Sequence, residues 1–522
     1  MKNEKLQSLP IGVQDFVKLR EKGRIYVDKT ERLQEMIESG DWYFLSRPRR
    51  FGKSLTLSTL DAMFSGRTEL FKGLAAEAWV AEQAEMENPS PVLRFDMSVM
   101  NSKDVVGFEK TLVETLQREA RRFKLALPSE TIEGMTQDLL GNLFEKYGRV
   151  VVLIDEYDKP MLDNIGNLEL AEAMRQALRS FYTTLKGCDQ YLRFVMLTGI
   201  SKFTKTGVFS AMNNLNDISM DEQYGDIVGY TQAELEGNFS DWIDGVSKKM
   251  KLSSEELLTQ TADYYDGFCF DGTTRLYNPF SILSFLSKGV FANYWYKSGS
   301  PSFIITYMKR HAIQDPAEYA HLEVFEDFAD AREIERATPE SFLYQSGYLT
   351  IKERRGDILV LDYPNYEVRK SIVRMYLDQV YRVKDYASLG SQIWRALSDG
   401  NLEETIRLFN IALAGVPYED FTRQDESLYR SLFLMLLRGA GVTAHGEVPT
   451  KLGRSDVLAL FPERVVVLEF KLARKKSEIV RLRKEGMKQI EEKKYAEPFD
   501  AVERAVTSGV IIIDGKKREA VL

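Results

Sequence analysis

Over the first 230 or so residues, short apolar runs alternate with longer segments whose apolar positions recur at helical spacing. The runs WYFLS (42–46), VLRFDMS (92–98), VVVLID (150–155) and LRFVMLTGI (192–200) predict four strands. Near-continuous apolar strands joined by helices are the pattern of a parallel sheet covered on both faces. From about residue 231 the texture turns mostly helical, as in TQAELEGNF, SSEELLTQTADYY and NPFSILSFL. Between about 330 and 380, PESFLYQSGYLTIK predicts a helix running into a strand, and GDILVLDYP a returning strand after the charged turn ERRG. Helix, hairpin and helix together resemble a winged helix, read as an intramolecular lid before a DNA reader. A helical stretch covers 385–440, and an αβββαβ-like segment runs from ESLYRSLFLMLLRG to GVIIID. The expected division is 1–230, 231–384, 385–425 and 426–522.

Length changes this picture little, since 522 residues already call for several cores. A formal net charge of −8 argues against a chain coated in positive charge but leaves room for a local basic groove. The two cysteines, Cys188 and Cys269, are far apart and in no metal spacing, which predicts a reducing, cytoplasmic compartment. No stretch approaches the roughly 18 apolar residues of a membrane span, so no membrane partner is expected. The three histidines, His311, His321 and His445, form no ligand cluster, and zinc or Ser-His-Asp chemistry has little support.

Chemistry enters at FLSRPRRFGKSLTL (44–57). Gly52, Lys53 and Ser54 are the end of a phosphate loop, G-x-x-x-x-G-K-[ST], but Arg47 holds the first glycine's place. A strand-to-helix loop binds phosphate because the helix N-terminus offers unpaired N–H groups and positive dipole charge. Lys53 is expected to reach the β- and γ-phosphates of ATP and Ser54 to ligate Mg²⁺, with Arg49, Arg50, Gly52 and Leu55 completing the nucleotide-binding loop. Arg47, Arg49 and Arg50 either add charge beside the phosphates or brace the loop. The second element is RVVVLIDEYDKP (149–160), whose apolar strand delivers Asp155 and Glu156 at its carboxyl end. Asp155 is expected to hold Mg²⁺ through water or Ser54, and Glu156 to polarise the attacking water. Thr198 and Ser201 read equally as sensors of the γ-phosphate or as satisfied loop hydroxyls.

These blocks resemble the bacterial AAA-ATPase-like family of P-loop NTPases. The resemblance is carried by LPIGVQDFVKLREKGRIYVDKTERLQEMI, the loop FLSRPRRFGKSLTLSTLDAMF, VVVLIDEYDKPM and LTGISKFTKTGVFSAMNNLNDIS, with YDGFCF and LYNPFSILSFL extending it over most of residues 8–285. The family also carries arginines instead of the first loop glycine, and its members commonly end in a PD-(D/E)XK nuclease-like domain. The expected fold class is α/β throughout: a P-loop domain with a parallel sheet, a helical and winged-helix lid, and a C-terminal restriction-endonuclease-like domain.

That ending is also readable by itself. In GEVPTKLGRSDVLALFPERVVVLEFKL, Asp456 opens one apolar run and Glu469-Phe470-Lys471 closes the next, with twelve residues between the two acids. A hairpin of that length brings both carboxylates to one end of a sheet, and strand alternation points Glu469 and Lys471 to the same face. Asp456 and Glu469 are expected to bind Mg²⁺, or Mn²⁺, beside a substrate phosphate, and Lys471 to orient or deprotonate water. Glu447 reads evenly as a further metal-side acid or a surface residue. The segment resembles the family's nuclease-like domain. That likeness implies Asp456, Glu469 and Lys471 as the catalytic set, with Gln489 and Tyr495 in support. KLARKKSEIVRLRKEGMKQIEEKK (471–494) is basic for an acidic chain and reads as a mixture of a solvated helix face with Glu–Lys support and a phosphate-tracking surface, with Lys475, Lys476, Arg481 and Arg483 the expected contacts.

The reading that follows is an ATP-hydrolysing protein whose C-terminal domain cleaves nucleic acid, DNA before RNA, under nucleotide control. The alternative is a nucleotide-dependent switch with a non-cleaving C-terminal domain. A homo-oligomer stays open: sites of this type often borrow an arginine from a neighbouring subunit, but the sequence singles out no such finger, Arg179 and Arg193 no more than other arginines.

Overall fold

The computed structural model describes residues 6–86, 88–202, 214–297, 302–311, 319–329, 337–416, 425–495, 497 and 504–522. The chain forms two compact units, one of residues 1–307 with 319–369 and one of residues 308–318 with 370–522.

In the first unit the four expected strands form at Trp42–Ser46 (β1), Val92–Asp96 (β2), Val150–Asp155 (β3) and Leu192–Gly199 (β4), joined by a two-residue strand, Asn216–Asp217 (β5). The sheet order is β2-β3-β4-β1-β5, and every pairing is parallel. β2 stops short of the predicted 98 because the Asp96 carboxylate takes the Ser98 N–H and starts a tight turn. Alternation sorts the side chains: Trp42, Phe44, Leu93, Phe95, Val152, Ile154, Val195 and Leu197 enter one core with helices Val105–Phe123, Ile132–Tyr147 and Leu168–Gly187. Tyr43 and Phe194 face the other way, where Phe194 meets Phe64 at the end of helix Lys53–Phe64. Both faces are covered, which accounts for the near-continuous apolar sequence of these strands.

The helices after residue 231 build a separate core around Leu235, Phe239, Tyr265, Ile282 and Phe285. Helices Gln232–Met250 and Ser254–Tyr265 each open on a capping box, Thr231 with Glu234 and Ser253 with Glu256. The winged-helix-like part follows as helix Pro339–Gln345 and hairpin Thr350–Arg355 (β7) and Ile358–Asp362 (β8), with Leu322–Phe325 (β6) added at the edge. Its tip arginines are engaged within the chain: Arg354 on Glu326, and Arg355 on Glu353 and Glu323.

The second unit carries a sheet of order β13-β12-β11-β10-β9, from Thr443–Thr450 (β9), Gly453–Leu460 (β10), Arg464–Ala473 (β11), Ala505–Asp514 (β12) and Glu519–Val521 (β13). The first three strands are antiparallel neighbours, whereas β11 and β12 run parallel and are joined through helix Ile479–Glu492. Gly486 lets that helix lie close to β12, since a Cβ there would fall 2.7 Å from Val510 Cγ1. Helices Tyr386–Ser398, Leu402–Gly415 and Glu426–Gly439 belong to this unit too. Arg464 bonds the Ser398 carbonyl at 2.8 Å, and Asn410 pairs with both backbone groups of Ala520.

Candidate functional sites

β1 ends at Ser46, and the chain turns through Arg47–Gly52 into the helix that begins at Lys53. Gly52 makes the turn possible with φ of 108°, a value unfavourable for any side chain. Arg47 points inward, not toward the loop cavity. It is 1% exposed, its guanidinium donates to the carbonyls of Ser46 (2.9 Å) and Ser219 (2.6 Å), and it lies 4.5 Å from the Phe270 ring centroid. Of the two roles open to the arginines, Arg47 takes the bracing one. Arg49 and Arg50 line a cavity of 350 Å³ with Gly52, Lys53, Ser54 and Leu55. The helical part after residue 231 holds this stretch: Asn278 and Trp295 donate to the Arg49 carbonyl, and Arg50 sits over Phe280.

The Lys53 ammonium is buried and donates to the carbonyls of Arg47 (2.8 Å) and Pro48 (3.1 Å). Burial pushes its pKa down, and the charges of Glu156, Asp155 and Asp158 oppose that push. Asp155 ends β3 and accepts from the Thr198 hydroxyl at 2.7 Å and the Glu156 N–H at 3.1 Å. Glu156 has φ of 49°, a strained left-handed conformation for a glutamate, and lines the same cavity. Burial, with Asp158 and Asp155 adding, raises its pKa, while Lys53 pulls the other way. Ser201 donates to Asp158 at 2.5 Å, and that buried carboxylate also takes the N–H groups of Ile200 and Ser201. Ser201 therefore has the geometry of a satisfied loop hydroxyl, and Thr198 that of a clamp on Asp155. Residues 203–213 of the LTGISKF block lie outside the described residues.

In the second unit, β10 and β11 pair through Val457 and Leu468 and then part. The Phe470 N–H beyond that point donates to the Asp456 carboxylate at 2.7 Å instead of to a strand carbonyl. Glu469 and Lys471 share a face, as the period of two requires, and Lys471 donates to Glu469 Oε1 at 2.8 Å. The second oxygen, Glu469 Oε2, is buried with no hydrogen-bond partner. Burial, with Asp456 adding, pushes the Glu469 carboxyl up to about 7 against the pull of Lys471. Burial works against the Lys471 ammonium, but its bond to Glu469 and the charges of Glu469, Glu426 and Asp456 outweigh it and raise its pKa. Gln489 donates to the Tyr495 hydroxyl at 3.1 Å, and the charges of Glu469, Asp456 and Lys471 reach that tyrosine. Glu447 sits on β9 with φ of 52°, and its carboxylate meets Arg430 at 2.5 Å.

Among the described residues no set of three or more His, Cys, Asp or Glu side chains is arranged to hold a metal ion. Mg²⁺ needs no such cage, because one or two carboxylates with substrate phosphate and water suffice. The partnerless Glu469 oxygen next to Asp456 fits that requirement in the second unit.

Comparison with known proteins bears on both units. A family model described as "Predicted AAA-ATPase" matches residues 10–209, and one for the PD-(D/E)XK nuclease superfamily matches 424–521. An uncharacterized protein from the vnfD 5' region of Azotobacter chroococcum mcd 1 is 33% identical over 511 residues, 95% of this chain and 94% of that protein. The chain belongs to the AAA-ATPase-like family. The Aeropyrum pernix Orc1 protein, solved in complex with DNA, aligns over 82% of this chain and 88% of its own at 10% identity and a TM-score of 0.25, too low to carry an argument.

Two sets of residues in this AAA-ATPase-like chain escape a reading of motifs. Around the phosphate loop, the cavity is closed by Val13, Ile25, Val27, Tyr230, Phe280 and Leu283. These apolar walls come from the N-terminal segment and from the helical part after residue 229. Near the carboxylates, helix Glu426–Gly439 contributes Glu426 and Arg430. Arg430 donates to Asp456 Oδ1 at 2.9 Å, and burial raises the Glu426 pKa. Only the one-turn spacing of Glu426 and Arg430 was there to see. Of the finger candidates, Arg193 is engaged with Ser90, Gln83 and the Phe64 ring, and Arg179 is exposed. Among the described residues no helix is long and apolar enough to cross a membrane.

Proposed function

We propose that the chain binds ATP with Mg²⁺ at the phosphate loop, hydrolyses it, and uses its C-terminal unit to cleave DNA in a metal-dependent step under nucleotide control. In the first unit Lys53 would meet the β- and γ-phosphates, with Arg49, Arg50, Gly52, Ser54 and Leu55 around them, and Ser54 with Asp155 would hold the cation. Glu156 would take a proton from the attacking water, a role supported by its place at the cavity wall and its raised pKa. In the second unit Asp456 and Glu469 would hold Mg²⁺ or Mn²⁺, which supplies charge stabilisation at the phosphate undergoing cleavage. Lys471 would orient the water, with Gln489 and Tyr495 in support. Lys475, Lys476, Arg481 and Arg483 would follow the backbone of the nucleic acid.

The observation that carries the cleavage reading is the Glu469 carboxylate: 1% exposed, one oxygen on Lys471 and the other without a partner. A buried carboxylate oxygen without a partner is an exception in folded proteins, and a bound ion would supply the missing partner. A cleavage assay with Mg²⁺ or Mn²⁺, with and without ATP, on single- and double-stranded DNA and RNA tests it. Wild type should cut and Asp456→Ala should not; no cleavage by wild type on any substrate removes the nuclease half.

One observation favours the switch reading: Arg430 already satisfies one Asp456 oxygen. If biological activity requires Lys53 but is indifferent to Lys471→Ala, the C-terminal unit binds without cutting.

A further inference from the structure

The carboxylates of the second unit already have a resident cation. One guanidinium nitrogen, Arg430 Nη1, lies 2.5 Å from Glu447 Oε1 and 2.9 Å from Asp456 Oδ1. It bridges two acids at a distance that a hydrated divalent ion could span. Glu426 stands one helical turn before Arg430 and feels the charges of Lys471, Asp456 and Arg430. Four acids (Glu426, Glu447, Asp456 and Glu469) thus face two basic groups, Arg430 and Lys471.

We propose that Arg430 is a displaceable counter-cation: it holds Asp456 and Glu447 in the metal-free chain and competes with the divalent metal for Asp456. This rests on the cleavage reading above, because it takes Asp456 and Glu469 as the metal's ligands. Each oxygen of the Asp456 carboxylate accepts a hydrogen bond, Oδ2 from the Phe470 N–H and Oδ1 from Arg430. The Phe470 bond is fixed by the strand backbone. The Arg430 bond is held by a long side chain on a separate helix and is the one that can release. On release the guanidinium keeps Glu447, whose side chain is 48% exposed, as a second anchor. Arg430 thereby sets the metal concentration at which the site fills, and Glu447 is the acid that receives it.

Titration of the nucleotide-free protein with MnCl₂, followed by calorimetry and by the electron paramagnetic resonance of free Mn²⁺, tests the competition without a cleavage readout. Arg430→Gln keeps a hydrogen-bonding group of similar reach and removes the charge. Its Mn²⁺ dissociation constant should fall at least tenfold below that of wild type, and Asp456→Asn should abolish the signal in both backgrounds. Glu447→Gln, which removes the second anchor, should weaken Mn²⁺ binding by holding Arg430 more firmly on Asp456. Equal or weaker Mn²⁺ binding by Arg430→Gln, with its melting profile intact, would overturn the competition while leaving the metal site standing. If neither wild type nor Arg430→Gln binds Mn²⁺ through Asp456, the cleavage reading and this inference fall together. Should Arg430→Gln fail to fold, Arg430→Lys serves: a shorter reach to Glu447 and Asp456 should also tighten Mn²⁺ binding, and unchanged affinity overturns the proposal.

Discussion

The Lys53 ammonium donates to the carbonyl oxygen of Arg47, 2.8 Å away and six residues earlier in the same loop. The loop is therefore closed on itself, its lysine paired with backbone and its arginine buried beneath Phe270. ATP would offer Lys53 phosphate oxygens instead, which are charged and stronger acceptors. Saturating ATP with Mg²⁺ should raise the melting temperature of wild type, and Lys53→Ala should lose that rise. An equal rise in the variant would take Lys53 out of the phosphate site.

Arg47→Gly restores the first glycine of the standard motif, yet it should damage the protein. The substitution removes two hydrogen bonds to Ser46 and Ser219 and the contact with Phe270. Hydrogen bonds from a charged donor contribute about 1.5–3 kcal/mol each. Arg47 Nε and Nη2 are buried without partners, so part of that loss is returned. A net cost of about 2 kcal/mol follows, visible as a lower melting temperature and weaker ATP binding together. Improved ATP binding in this variant would mean that the arginine merely obstructs the loop.

Glu156→Gln keeps the size of the side chain and removes its capacity to take a proton. A general base contributes about 10²- to 10⁴-fold to rate, so turnover should fall by at least about 10²-fold while ATP stays bound. Single-turnover assays and nucleotide retention on a filter measure the two quantities separately. Unchanged turnover assigns the base elsewhere.

How much of this was legible depends on the physics of each residue. β1 to β4 could be read because strands buried on both faces must be apolar throughout, as WYFLS and VVVLID are. The shared face of Glu469 and Lys471 follows from strand alternation alone. Arg47 could not be read as a brace, because an arginine in a basic loop looks solvated until Phe270 and Ser219 arrive from far along the chain. The same holds for Arg430: its partner Asp456 is 26 residues away and the pairing depends on how one helix lies on the sheet. β5 is two residues long and exposed, with no apolar run to mark it.

Neither cysteine should react with a thiol reagent in the native protein. Cys188 and Cys269 are free and buried, and burial with Asp271 beside it pushes the Cys269 thiol up to about 12. The thiolate is the reactive form, so Ellman's reagent at pH 8 should detect no thiol until denaturant is added, and then two. Rapid modification under native conditions would show that this core opens readily.

Glu367 gives the first unit a pH dependence with a definite sign. Its side chain is fully buried, it accepts from the Trp295 N–H at 2.8 Å, and burial pushes its carboxyl from 4.5 up to about 7. The folded chain thus holds this proton more tightly than the unfolded chain does. Folding gains from the bound proton below about pH 4.5, and the gain is lost as pH rises from there through about 7. Above that pH the carboxylate is ionised within a helical lid, against hydrogen bonds that only partly offset its desolvation. Glu367→Gln imitates the protonated form at every pH. Calorimetric melting between pH 5 and 8 should therefore show a steeper decline for wild type than for the variant, with Glu367→Gln the more stable of the two at pH 8. Parallel profiles for the two proteins would mean that Glu367 stays ionised in the folded lid.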